Sequence, residues 1–97
     1  MNERDKTLAV LRAALPELRR RWPIRSLAIF GSVARGDAAP ESDLDVLVEF
    51  DRPVSLSTFL ALEEAVGKSV GRKVDLVSRP ALKTFIGERI AAEAVPV

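Results

Sequence analysis

The residues that open a chemical reading of this chain are Asp43, Asp45 and Asp75. In the run from Leu44 to Phe50, the apolar Leu44, Val46, Val48 and Phe50 fall on one side of an extended chain, while Asp43, Asp45, Leu47 and Glu49 fall on the other. Lys73 to Val77 repeats the arrangement, with Val74 and Leu76 facing one way and Asp75 the other. Three carboxylates projecting from two strands onto one face repel one another, and without a cation at least one should hold a proton. A divalent metal resolves that conflict. Mg²⁺ takes one or two carboxylates and fills its remaining sites with water and substrate phosphates, so a D-x-D with a distant third Asp is the ligand set of a nucleotide-dependent site. With two ions about 4 Å apart, one would activate an attacking oxygen and the other stabilise a leaving pyrophosphate.

Upstream lies Gly31-Ser32, followed by Val33-Ala34-Arg35-Gly36. A glycine at a strand end lets backbone N–H groups approach a phosphate, and a helical turn starting at Ser32 would aim its positive end at a triphosphate. Ser32 adds a hydroxyl donor, and Arg35, one turn further, could neutralise phosphate charge. An anion cradle and cation-holding carboxylates thus stand within about fifteen residues of each other.

These residues need elements to position them. Leu8, Leu11, Leu15 and Leu18 recur at helical spacing, predicting an amphipathic helix from about residue 5 to 21, stopped by Pro23. Ser26 to Phe30 reads as a short buried strand ending at Gly31, and residues 36 to 43 as a Gly-, Asp-, Ala-, Pro- and Ser-rich loop. After the Leu44–Phe50 strand, Pro53 breaks the chain. Leu56, Phe59, Leu60, Leu62, Val66 and Val70 then give a second helix closed near Gly71. A strand at 73–77 follows, then a final helix opened by Pro80 with Leu82, Ile86 and Ile90 four apart. Val95-Pro96-Val97 is too short to assign. The expected fold is α/β (α+β): one domain over residues 1–97, a small mixed sheet of three or four strands, helices mainly on one face, and a more open aspartate face. Strand order is not readable from the pattern.

Composition narrows the chemistry. The chain has no Cys and no His, which excludes thiolate and imidazole zinc sites, Cys or Ser/His nucleophilic catalysis and disulfides. Metal chemistry must therefore use oxygen ligands, which suits Mg²⁺ or Mn²⁺. A net charge of +1 supplies no global field towards nucleic acid or membrane, so an anionic ligand needs a local site. No apolar run approaches the roughly 20 residues that span a bilayer, and the charged N-terminus is not that of a signal peptide, so a cytoplasmic location is expected. At 97 residues a domain buries only roughly two-thirds of its unfolded surface, so a partner surface, including a second copy, would add stability.

The combined string resembles the minimal nucleotidyltransferase branch of the superfamily related to DNA polymerase beta. It consists of Gly31-Ser32, ten intervening residues, Asp43-Leu44-Asp45, and Asp75 within Val74-Asp75-Leu76-Val77, preceded by Gly71-Arg72-Lys73. The resemblance covers roughly residues 24 to 90. It implies that Gly31 and Ser32 bind phosphates, that Asp43 and Asp45 bind both metals, and that Asp75 contacts the catalytic metal and helps activate the nucleophile. It also implies an antitoxin paired with a HEPN ribonuclease toxin, transferring AMP from ATP onto a toxin tyrosine. This chain has no Tyr, so a tyrosine acceptor must belong to another protein. One departure is the abrupt end at Val97, where relatives often carry a fuller final strand.

Blander readings compete at each position. A lone D-x-D is commonly a solvated strand entrance, Asp75 alone could be an edge charge against aggregation, and Gly31 alone a turn glycine. Arg35 could be a surface cation or a partner of Asp37 or Glu41. Arg19, Arg20 and Arg21 read as a solvated cap on a helix C-terminus rather than a nucleic-acid patch. An EF-hand fails because Val46-Leu47-Val48 follows the D-x-D, and a Walker A loop lacks its Gly-Lys-Ser/Thr. A haloacid-dehalogenase phosphatase would normally need a larger chain with D-x-D at its first strand. Two functional alternatives stand beside the protein-modifying transferase: an antitoxin that neutralises by occlusion alone, and a transferase acting on RNA ends. Nothing in the sequence reads a purine edge, so the base of the nucleotide is open.

Overall fold

The computed structural model describes residues 2–39, 41–78, 90 and 92–97. The first helix, α1 (Glu3–Arg21), starts where the Asn2 side chain accepts the Asp5 N–H at 2.8 Å, with Glu3 and Asp5 in the first turn and Arg19, Arg20 and Arg21 in the last. Both ends thus complement the helix dipole. The helix runs through Pro16, losing one ladder hydrogen bond there. Its last arginines are each engaged: Arg19 donates to the Arg25 carbonyl, Arg20 meets Glu17, and Arg21 lies over the Trp22 ring with its Cζ 4.4 Å from the centroid.

Chain order continues through β1 (Ile24–Phe30), α2 (Gly31–Arg35), β2 (Leu44–Phe50), α3 (Leu56–Val70), β3 (Val74–Ser78) and β4 (Val95–Pro96). The four strands form one sheet in the order β3-β2-β1-β4, with β1 antiparallel to both β2 and β4 and β2 parallel to β3. The sheet is therefore mixed, as the sequence suggests. Val95–Pro96, too short to read from sequence, takes the outer place beside β1, where Val97 N–H also donates to the Leu27 carbonyl at 2.9 Å. The expected final helix over Leu82, Ile86 and Ile90 lies largely outside the described residues. No described helix is long and apolar enough to cross a membrane.

Register decides the faces. Leu27 pairs with Val48, Ile29 with Val46, Leu44 with Val74 and Val46 with Leu76, and these side chains meet Leu8, Leu11 and Leu18 of α1 and Leu62 and Val66 of α3 in one hydrophobic cluster. Trp22, buried at the end of α1, donates its Nε1–H to the Thr58 carbonyl at 3.2 Å and so joins the two helices. On the opposite face Phe30, Asp45 and Asp75 form a row across β1, β2 and β3, with Ala28, Leu47 and Val77 as the next row. Leu47 is only 3% exposed, so that face is open at its aspartate end and not along its length.

The core sets the stability. Replacing Leu62, fully buried, by Ala should cost about 2–5 kcal/mol in urea unfolding. The same change at half-exposed Leu60, two residues earlier on α3, should cost no more than about 0.5 kcal/mol.

Candidate nucleotide and metal site

Asp45 and Asp75 are Cα partners in the parallel β2–β3 ladder and lie on the same face, opposite the hydrophobic cluster. Adjacent strands stand about 4.8 Å apart, so two carboxylates in register are close neighbours by construction. Asp45 is half-buried and Asp75 exposed. Burial, and then the charges of Asp75 and Asp43, raise the Asp45 carboxyl above its ordinary value, while Arg35 pulls it back down. The repulsion expected from the sequence is thus present, centred on Asp45.

Asp43 sits just before β2 and is exposed, and its Oδ2 stands 3.8 Å from Lys73 Nζ. Among the described residues no three acidic side chains stand in a ready metal-holding arrangement. Asp43 is near enough to act on Asp45 but is turned to a lysine. Both side chains of that pair are largely exposed, and such a pair contributes little, so rotating Asp43 towards Asp45 is a small energetic step. The donor set is all carboxylate oxygen, and among the described residues Arg35 offsets part of the charge at Asp45 while Lys73 faces Asp43. A hard divalent cation fits such a set.

Gly31 opens α2 with φ of +74°, and a Cβ there would collide with the Asp45 carboxylate. The close approach that the sequence assigns to a ligand is thus already made by a side chain of the site. Phe30, at the N-cap, offers no side-chain hydrogen bond, and the helix ends after one turn, where Gly36 and Asp37 N–H groups return to the Ser32 carbonyl at 3.0 Å each. Ser32 is half-buried beside Gly31. Arg35 is exposed and pairs with Asp37, Nε to Oδ2 at 3.4 Å, which realises one of its blander readings while its charge still reaches Asp45.

Sequence reasoning passed over two contributors. Glu63 of α3 accepts the Leu76 N–H at 2.9 Å, capping the edge strand next to Asp75. Arg72 carries the second contribution, to the chain just ahead of Asp43. Its Nη1 meets Glu3 Oε1 at 2.7 Å and its Nη2 donates to the Ser42 carbonyl. The only sequence signal for it was the basic pair Arg72-Lys73 directly before the strand of Asp75.

Comparison with known proteins matches the nucleotidyltransferase domain family over residues 11–96. The protein adenylyltransferase MntA of Thermococcus cleftensis is 40% identical over 89 residues, covering 92% of this chain and 90% of that protein. A solved structure of a candidate minimal nucleotidyltransferase superposes with a TM-score of 0.80 at 35% identity, covering 100% of this chain and 97% of the other. The fold also matches a chain from the complex of a tri-AMPylated HEPN toxin of Shewanella oneidensis with its MNT antitoxin. There the TM-score is 0.59 at 17% identity, covering 97% of this chain and 67% of that one.

Two outcomes test the geometry without any assay of activity. Gly31→Ala should lose about 1–2 kcal/mol from the left-handed backbone alone, with a further loss from the collision. Adding Asp45→Ala should recover part of it, a coupling of about 1 kcal/mol in a urea double-mutant cycle. For Asp45 itself, a folded-state pKa above the unfolded one means that the ionised form costs folding free energy at pH 7. Asp45→Asn should therefore raise Tm at pH 7 in metal-free buffer. The gain should shrink as pH falls through the raised folded pKa, where the wild-type carboxyl takes up its proton, and be gone below the ordinary aspartate value of about 4.

Proposed function

The chain belongs to the nucleotidyltransferase domain family, and from that premise we propose that it is a Mg²⁺-dependent protein adenylyltransferase that moves AMP from ATP onto a hydroxyl of a HEPN-type toxin. The observation that carries this reading is the in-register Asp45–Asp75 pair beside the Gly31 turn. Its charge demands a cation, and the adjacent helical turn suits a phosphate. Support for protein as the acceptor comes from the 40% identical relative, whose name is that of a protein adenylyltransferase. The toxin class follows the family resemblance of the motif. With no Tyr in this chain, a tyrosine acceptor is supplied by the partner. We place the reaction in the cytoplasm, where ATP and Mg²⁺ are available.

In this mechanism the acceptor oxygen attacks the α-phosphorus of ATP, the bond to the bridging oxygen breaks, and pyrophosphate leaves. Asp43, Asp45 and Asp75 would hold Mg²⁺, which when bound neutralises phosphate charge and lowers the barrier to deprotonating the acceptor. Asp75, the exposed member of the strand pair, would help activate the acceptor hydroxyl by taking its proton. Gly31 and Ser32 orient the phosphates with a backbone N–H and a hydroxyl, and Arg35 exchanges Asp37 for phosphate oxygen. Most of the acceleration is positioning and charge neutralisation.

The test is transfer of label from ATP carrying it at the α-phosphate, with the chain, its candidate partner and Mg²⁺ together. Label should appear on the partner and fall by roughly 100-fold or more in Asp43→Asn and Asp75→Asn, and chelation of Mg²⁺ should abolish it. Inhibition of the partner that survives both substitutions with no label on any acceptor would instead favour occlusion. Label on RNA would favour the RNA-end transferase.

A further inference from the structure

Arg72 takes no part in the chemistry above, yet its side chain is only 13% exposed. One arm of the guanidinium meets Glu3 on α1, and the other donates to the carbonyl of Ser42, the residue before Asp43. On the far side of Asp43, the Leu44 N–H donates to the Lys73 carbonyl at 2.9 Å, and Lys73 Nζ faces the Asp43 carboxylate itself. The dipeptide Arg72-Lys73 thus holds the peptide ahead of Asp43, the peptide after it and its side chain. The same dipeptide runs directly into β3, which carries Asp75.

We infer that Arg72 is a positioning residue for the carboxylate trio, setting the separation between the Asp43–Asp45 pair and Asp75 through its grip on the Ser42 carbonyl. The loop behind Ser42 leaves Gly36, Asp37 and Ala39 exposed, while Ala38 packs against the core and Asp37 is tied back to α2. Its described internal bonds are those between Ala39 and Ser42, at 3.0 Å in each direction. Without Arg72 the Ser42 carbonyl loses its guanidinium partner, and ahead of the ladder pairs at Leu44 and Asp45 the chain is held by the Leu44 bond and the exposed Lys73–Asp43 pair. The planar guanidinium spans Glu3 and Ser42 with two arms at fixed geometry, whereas a lysine presents one compact ammonium and cannot bridge both. Outer partners of this kind, when removed from metal sites, typically cost about 10–100-fold in metal affinity or activity.

This inference rests on the metal-holding reading, and the experiment keeps the two apart. Arg72→Ala, Arg72→Lys and Glu3→Gln are each compared with the unaltered chain by two measurements. One is the Mg²⁺ concentration giving half-maximal thermal stabilisation in the presence of ATP. The other is amide hydrogen exchange at Leu44 relative to Val46 and Val48. Glu3→Gln weakens the arm to α1 and leaves the arm to Ser42, so it reports what a merely structural role would do. Arg72→Ala should need about tenfold more Mg²⁺ and exchange Leu44 at least about tenfold faster, with Val46 and Val48 still protected. Arg72→Lys, which keeps the charge and is the milder change should the alanine variant fail to fold, should show the same shifts, and Glu3→Gln should show neither. Equal shifts in Glu3→Gln, or Arg72 variants unchanged in both measurements, would overturn the inference. If the unaltered chain gains no stability from Mg²⁺ with ATP, the metal reading falls, and Leu44 exchange by itself decides the role of Arg72.

Discussion

Two like charges held in register across a pair of parallel strands are the constraint around which this small protein is arranged. Asp45 and Asp75 are ladder partners on one face, and left alone such a pair destabilises the sheet that carries it. The opposing face supplies what that costs: Leu44, Val46 and Val48 are fully buried, and Val74 and Leu76 nearly so, against two helices. A strand whose alternate residues are a packed apolar row cannot slip by one position without turning that row into solvent. The repulsion is therefore borne by the fold instead of being relieved by a shift of register.

Much of the remaining local structure reads as support for that pair. Gly31 is confined to glycine by its left-handed backbone angle, and the Asp45 carboxylate fills the space where a Cβ would stand. Glu63 satisfies the N–H of Leu76 on the outer strand β3, next to Asp75. Lys73 stands as a weak counter-charge to Asp43, and Arg35 as a partial one to Asp45. The Lys73–Asp43 and Arg35–Asp37 pairs are largely exposed, and such pairs contribute little. The basic residues thus balance the acidic cluster in the free protein without locking it.

Membership of the nucleotidyltransferase family and the mixed four-stranded sheet agree with one another and with the motif. The last strand is two residues long beside β1, and the two described long helices share one cluster with a single face of the sheet.

The sequence by itself determined the faces and the chemistry. Period-two alternation in residues 44–50 and 73–77 placed Asp45 and Asp75 opposite the apolar set, helical spacing placed the leucines of α1 and α3, and the absence of His and Cys left only oxygen donors. Those properties are local: each depends on residues a few positions apart. Tertiary structure alone decided that Asp45 meets Asp75, not merely shares its sense. It also decided that Asp43 turns to Lys73, that Arg72 reaches Ser42, that Val95–Pro96 pairs with β1, and that Leu47 is buried on the face expected to be open. Each of these joins residues that lie tens of positions apart or depends on what covers a face. Pairing register and long side-chain reach are set by the packing of the whole core, and no short window of sequence contains them.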